Sequence, residues 1–399
     1  MSRNANGEGS IYVWRRDGKP DGYKGAISYQ DEDGATKRYV AYGRTRGQVR
    51  AKLDAARERL NAGAPVKDAS RSVADWLAHW RATTLAASDR SQSTRSLYAT
   101  LARKHLEPAP FGEIRLDKLR PSDVEALILR MRAKTKPGKR TEDGTEPEPA
   151  RALSDSTIRQ VYTVLRAALD GAVRDGLVAR NAAALVRRPG VERHEAKHLD
   201  AAAVTAVLRA AVASRYHAAL TLIASTGLRR GECLALRWDR VDLDAGVLKV
   251  AATIGRLDGR LVITEPKTDR SRRPVPLSPP VVALLRKQKA AQAADKLRAG
   301  NQWHDSGLVF TTELGRPVDP RSLLRVVEAA AKAAGVAGVG VHTLRHSVAV
   351  GWLESGVHIK AVADLLGHSS ISITGDIYGH TTDTAARSAV DGWSGALGL

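Results

Sequence analysis

The sequence predicts a mainly α-helical, multidomain protein with small β-sheets. Three features point that way. The chain has 399 residues, more than one ordinary core organises. Its first sixty residues alternate and turn as short strands do, and most of the chain beyond Ser72 repeats its apolar residues at helical spacing. Late in the chain, His342-Thr343-Leu344-Arg345-His346 and Leu366-Gly367-His368-Ser369-Ser370 are followed by Tyr378, the only tyrosine after Tyr216.

Composition narrows the partners. Hydrophobic residues make up 43%, enough for packed cores, while Lys+Arg 63 against Asp+Glu 43 leaves a net charge of +20, which favours a polyanionic partner. The single cysteine, Cys233, excludes an internal disulfide and a multi-cysteine zinc site. Met1-Ser2-Arg3-Asn4 lacks the apolar stretch of a signal peptide, and no run of about 18 apolar residues occurs. No membrane role and a cytoplasmic location are expected.

In chain order, Ser10 to Arg15, Tyr23 to Gln30 and Lys37 to Tyr42 read as strands separated by Gly- and Asp-rich turns, and Gln48 to Leu60 as a helix. A three-stranded sheet bearing Tyr12, Trp14, Tyr23, Tyr29 and Tyr39 can lie in a major groove; equally, the aromatics can be core. This is a first domain over residues 1–63, ended by the Asn61-Ala62-Gly63-Ala64-Pro65 linker. A helical domain over residues 70–185 comes next. Val73, Trp76, Leu77 and Trp80 share a face, then helices run over Ser91 to Leu106, Pro121 to Ala133 and Asp155 to Asp175. The last carries Arg159 and Arg166 away from its apolar stripe, as candidate DNA contacts. Residues 134–151 have no apolar period and read as a loop. The third domain, residues 198–399, is mixed α/β, with Asp200 capping its first helix and strands at Val247 to Thr253, Arg260 to Thr264 and Arg272 to Leu277.

These residue types suit one chemistry. Cutting a DNA strand while keeping the bond energy needs a nucleophile that forms an ester with phosphorus. It also needs fixed cations for the non-bridging oxygens and an acid for the leaving 5′-oxygen. Arginine's planar fork holds two oxygens and keeps its charge. Arg229 follows Gly227 at the mouth of a helix, where free N–H groups favour an anion. Arg230 projects about 100° away around that helix. His342 and Arg345, three apart, share a helical face. His342 and His346 have the spacing of a zinc helix, but Thr343 stands where a metalloprotease needs Glu and Arg345 puts a cation beside the ion, so no metal and no cofactor are expected. His368 follows a helix ended by Gly367, on a turn that reaches a cleft or merely caps. Lys267 is read on the tip of a hairpin between the second and third strands, as a proton donor or a plain phosphate contact. The adjacent Arg270, Arg272 and Arg273 are candidate DNA contacts.

The order Thr226-Gly227-Leu228-Arg229-x-x-Glu232, Lys267, His342-x-x-Arg345-His346, Leu366-Gly367-His368-Ser369-Ser370 and Tyr378 resembles the tyrosine recombinases, specifically phage and integrative-element integrases. The resemblance covers the third domain and implies roles. Arg229 and Arg345 clamp the scissile phosphate, His342 and His368 bond its oxygens, and Lys267, with Lys249 also nearby, is the general acid. Tyr378 forms a 3′-phosphotyrosine, while Glu232 and His346 support the site. It also implies a core-binding role for the helical domain, arm-site binding for the N-terminal sheet, and a homotetramer on double-stranded DNA attachment sites. A directionality factor and a DNA-bending protein are implied as accessories. A type IB topoisomerase, a chromosome-dimer resolving recombinase and a non-catalytic DNA-binding regulator are the competing readings.

Overall fold

The computed structural model describes residues 11–16, 19–30, 36–61, 71–137, 150–192, 197–265 and 272–368. The chain divides into two compact units, Met1–Arg193 and His194–Leu399. Among the described residues, no helix is long and apolar enough to cross a membrane.

The first unit holds two separate cores. In the first, β1 (Ile11–Arg16), β2 (Lys19–Gln30) and β3 (Thr36–Gly43) form an antiparallel sheet in the order β1-β2-β3, and α1 (Arg46–Asn61) covers one face. Gly25 sits where helix and sheet meet; a Cβ there would stand 2.8 Å from Leu53 and 2.9 Å from Val49. Strand alternation divides the aromatics. Tyr23, Tyr29 and Tyr39 pack on Ile27, Ala41, Val49, Leu53 and Ala56. Tyr12 and Tyr42 stand outside, in one row with Lys24 between them in register. Trp14 meets Tyr42 edge-on at 5.2 Å, and the Lys24 ammonium lies 5.4 Å from the Tyr42 ring.

The second core is helical. Ser72 and Asp75 bond each other's backbone N–H at 3.0 and 3.3 Å and start α2 (Val73–Trp80), which buries the predicted Val73, Trp76, Leu77 and Trp80. Then come α3 (Gln92–Leu101), α4 (Pro121–Ala133) and α5 (Asp155–Arg174). Both α2 and α3 end by widening into one π-type turn, at Arg81–Leu85 and Ala102–Leu106. The apolar stripe of α5, Ile158, Val161, Leu165, Ala168 and Leu169, is fully covered, and the Trp76 indole donates to the Ala168 carbonyl at 2.8 Å. Ile158, Val161, Leu165 and Leu169 each contribute roughly 1.5–3 kcal/mol by leaving water. The segment expected as a loop is pinned at its ends by β4 (Thr135–Lys136) paired with β5 (Ala150–Arg151); residues 138–149 lie outside the described residues.

In the second unit, Asp200 accepts from the Ala203 N–H at 2.7 Å and starts α6 (Ala201–Ala210), succeeded by α7 (His217–Thr226) and the short α8 (Arg230–Leu234). The strands depart from expectation. Val247 to Thr253 is not one strand: β7 (Val247–Val250) lies between β10 (Arg273–Pro276) and β6 (Val241–Asp242), while β8 (Thr253–Leu257) turns away to pair with β9 (Arg260–Thr264). The second and third predicted strands therefore do not form a hairpin with each other. The reason lies in β10: two of its four residues are proline, without N–H donors, so it has one usable edge, which it gives to β7. The chain then forms α9 (Pro279–Ala299), α10 (Pro320–Ala333), α11 (Val341–Glu354) and α12 (Ile359–Leu366).

Candidate active site

Two left-handed glycines end the helices that build the site. Gly227 closes α7 at φ 65°, with Leu366 so close that a Cβ would stand 2.6 Å from its Cδ2. Arg229 then caps α8: its N–H donates to Glu232 Oε2 at 2.9 Å and its Nη1 to Glu232 Oε1 at 2.7 Å. Gly367 closes α12 at φ 66°, against the Arg273 guanidinium, whose Nη1 would lie 2.7 Å from an added Cβ.

The last carbonyls of α12 gather three arginines from three other elements. Arg273 Nε donates to Leu365 O at 2.6 Å, Arg345 Nη2 to Leu366 O at 2.8 Å, and Arg229 Nη2 to Gly367 O at 2.9 Å. These carbonyls have no partner within the helix and carry the negative end of its dipole, so cations satisfy both demands. Arg345 also donates through Nη1 to the Gly227 carbonyl, joining the two glycine turns.

Glu232 is the anion at the centre, 6% exposed. Burial pushes its carboxyl up, but the charges and hydrogen bonds of Arg273 and Arg229 outweigh that and hold it below the usual carboxylate range. Arg273 contacts it through Nη2 at 3.1 Å and Nη1 at 3.4 Å. This corrects the expectation that Arg273 is a DNA contact. It is 7% exposed and braces Glu232, because strand alternation turns it inward with Val275.

His368 Nε2 lies 2.9 Å from Arg345 Nη2. A guanidinium only donates, so Nε2 accepts and the ring proton resides on Nδ1. Burial, then the charges of Arg345, Arg229 and Arg273, push its pKa down to about 4. His342 and His346 share α11 with Arg345, their rings 6.4 Å apart. Desolvation and Arg345 lower His342, with Arg230 and Arg229 adding to it. Desolvation, His342 and Arg345 lower His346. Among the described residues no three His, Cys, Asp or Glu groups cluster as metal ligands do. Cys233 is wholly buried, which pushes its thiol far up and leaves it a packing residue.

Arg229, Glu232, Arg345 and His368 are thus in one hydrogen-bonded network, and His342 borders a cleft with Arg229. Lys267, Arg270 and Tyr378 lie outside the described residues. Arg272 is exposed and paired with Glu265. In the first unit, Arg166 is exposed, whereas Arg159 is half-buried and donates to the Pro189 carbonyl at 2.8 Å. Sequence reasoning missed the bracing role of Arg273 and passed over Arg256 and Arg321, which line the cleft beside Arg229 and His342.

Residues 192–385 match the phage integrase family. The integrase of Saccharopolyspora erythraea is 26% identical, covering 98% of this chain and 97% of its own length. A XerC-like tyrosine recombinase of Caldanaerobacter subterraneus subsp. tengcongensis is also 26% identical, covering 91% of this chain and 93% of its own. In fold, the chain is similar to the Tn1549 transposon integrase solved with transposon right end DNA, at a TM-score of 0.64 and 20% identity, covering 80% of this chain and 98% of that one. By sequence, then, the chain is similar over residues 192–385 to the phage integrase family, and over nearly its whole length to an integrase and to a XerC-like tyrosine recombinase.

Proposed function

We propose that the chain recombines double-stranded DNA at attachment sites through a 3′-phosphotyrosine on Tyr378, inserting and excising a phage or mobile element. The observation that carries this reading is the convergence of Arg229, Arg345 and neutral His368 at the end of α12, with His368 ten residues before Tyr378 in sequence. Arg229 and Arg345 hold the scissile phosphate and stabilise the charge its oxygens gain in the transition state. His368, through Nδ1–H, and His342 bond those oxygens. The Tyr378 phenolate attacks phosphorus as the bond to the 5′-oxygen breaks, and Lys267 protonates that leaving oxygen. Attack by a partner strand's 5′-hydroxyl reverses the step and frees the tyrosine. Glu232 holds Arg229 in place, and His346 supports the site from α11, the helix of His342 and Arg345.

Strand exchange between two sites needs a partner strand, hence a homotetramer on DNA, with a directionality factor and a bending protein as accessories. Residues 70–185 act as the core-binding domain, with Arg166 among its exposed cations. Residues 1–63 grip arm sites through the Tyr12, Trp14, Lys24 and Tyr42 face. That exposed aromatic and basic face favours an integrase over a dimer-resolving recombinase or a topoisomerase.

The test is trapping on a nicked suicide substrate with mass-spectrometric mapping. The wild type is expected to carry DNA on Tyr378, and Y378F to bind DNA without forming the complex. A complex on another residue, or one that persists in Y378F, overturns the reading.

A further inference from the structure

A cleft of about 310 Å³ lies between the start of α8, strand β8, the start of α10 and His342. Arg230, Arg256 and Arg321 bring cations to it from three elements, next to Arg229. Its walls are fixed. Gly231 brings α8 onto β8, since a Cβ there would stand 2.4 Å from Thr253 Oγ1 and 2.7 Å from the Ile254 carbonyl. Asp319 accepts from the Arg321 N–H at 2.9 Å and pairs with Arg256 at 2.9 Å, tying the β8–β9 hairpin to α10. Among the described residues Asp319 is the one acid lining the cleft, and Arg256 pairs with it. The side chains of Arg230 and Arg321 make no hydrogen bond or ion pair with any described residue. The Arg321 guanidinium feels Asp319 only through space while Arg256 holds its hydrogen bond and ion pair, so Arg230 and Arg321 leave the cleft with more positive than negative charge and favour an anion. A duplex that seats one phosphate at Arg229 carries the neighbouring phosphates of that strand alongside.

We infer that Arg230 and Arg321 take a second, non-scissile phosphate of the cleaved strand, as positioning residues that set the register of the DNA at Arg229. This rests on the strand-cleaving function proposed above. A phosphate contact contributes salt-dependent affinity through counterion release, about 0.9 in the slope of log K against log salt.

The experiment uses the full chain, a short duplex of arbitrary sequence for binding, and suicide substrates with single methylphosphonates along the cleaved strand. The variants are R230Q/R321Q, R230K/R321K and, for an exposed charge elsewhere, R298Q. R230Q/R321Q is expected to lower the salt slope by about one, and R230K/R321K to retain it. With wild type, one non-scissile methylphosphonate slows covalent-complex formation roughly tenfold, the worth of one charge-assisted bond; in R230Q/R321Q that position no longer matters. A slope unchanged from wild type or no different from R298Q, or a loss in the lysine variant equal to that in the glutamine variant, overturns the inference. Absence of any covalent complex with wild type overturns the function reading instead, and the salt slope then decides the cleft by itself.

Discussion

The guanidinium of Arg345 donates to Nε2 of His368 at 2.9 Å, and this contact fixes Nδ1 as the nitrogen that carries the proton of the neutral ring. With its pKa pushed down to about 4 against an ordinary 6.5, the folded ring is neutral where the unfolded one begins to bind a proton. The unfolded state therefore holds more protons between those values, and stability falls as pH falls through them. Relative to neutral pH the loss approaches roughly 3 kcal/mol by pH 4. Urea unfolding of wild type and H368Q at neutral and acid pH checks this: the variant loses less on acidification by about one proton's worth, and parallel pH profiles refute it.

Arg272 and Arg273 are adjacent and behave oppositely. R273Q leaves Glu232 buried with half its counter-charge and is expected to cost about 3 kcal/mol of stability. R272Q, whose side chain is 53% exposed, leaves stability within about 0.5 kcal/mol and lowers DNA affinity. Thermal unfolding beside a gel-shift titration distinguishes them.

At Gly367, alanine must adopt φ 66° and displace the Arg273 guanidinium. G367A is expected to lose about 1–2 kcal/mol from the backbone alone, with a further loss of strand cleavage as Arg273 and Arg229 shift. Calorimetry and suicide-substrate trapping measure the two effects separately.

Arg345→Lys keeps the charge but cannot serve Gly227 O, Leu366 O and His368 together. Covalent-complex formation is expected to slow by about a hundredfold, the loss typical of one transition-state donor, while DNA affinity changes far less. Single-turnover rates with saturating enzyme give the answer.

On the N-terminal sheet, Tyr39→Ala removes core and costs about 2 kcal/mol. Tyr42→Ala, at a side chain 45% exposed, leaves stability within about 0.5 kcal/mol and weakens DNA binding. Chemical denaturation with a parallel binding curve tests the pair.

Local periodicity made much of this legible. His342 and Arg345 fall on one helix because they are three apart, and Gly367 ends a helix because the apolar spacing stops there. The alternation that puts Arg273 beside Val275 on an inward face was also available, since Arg273, Val275 and Leu277 fall on alternate positions of one predicted strand. What alternation could not supply was the partner that makes an inward arginine tolerable, because Glu232 and Leu365 lie 41 and 92 residues away. The break between Val250 and Thr253 was hidden for a similar reason. Both halves are good strand sequence, and only the competition of β10 for the edge of β7 decides where the ladder ends.

The C-terminus of α12 gives the site an all-or-none character. Cations from β10, α11 and the start of α8 rest on three consecutive carbonyls, the last two of an eight-residue helix and that of its glycine cap. Sliding that helix by the length of a single hydrogen bond would unseat all three together, along with the imidazole just past its end. Helix position, rather than the strength of any individual contact, is therefore the variable that assembles or dismantles the arginine cluster.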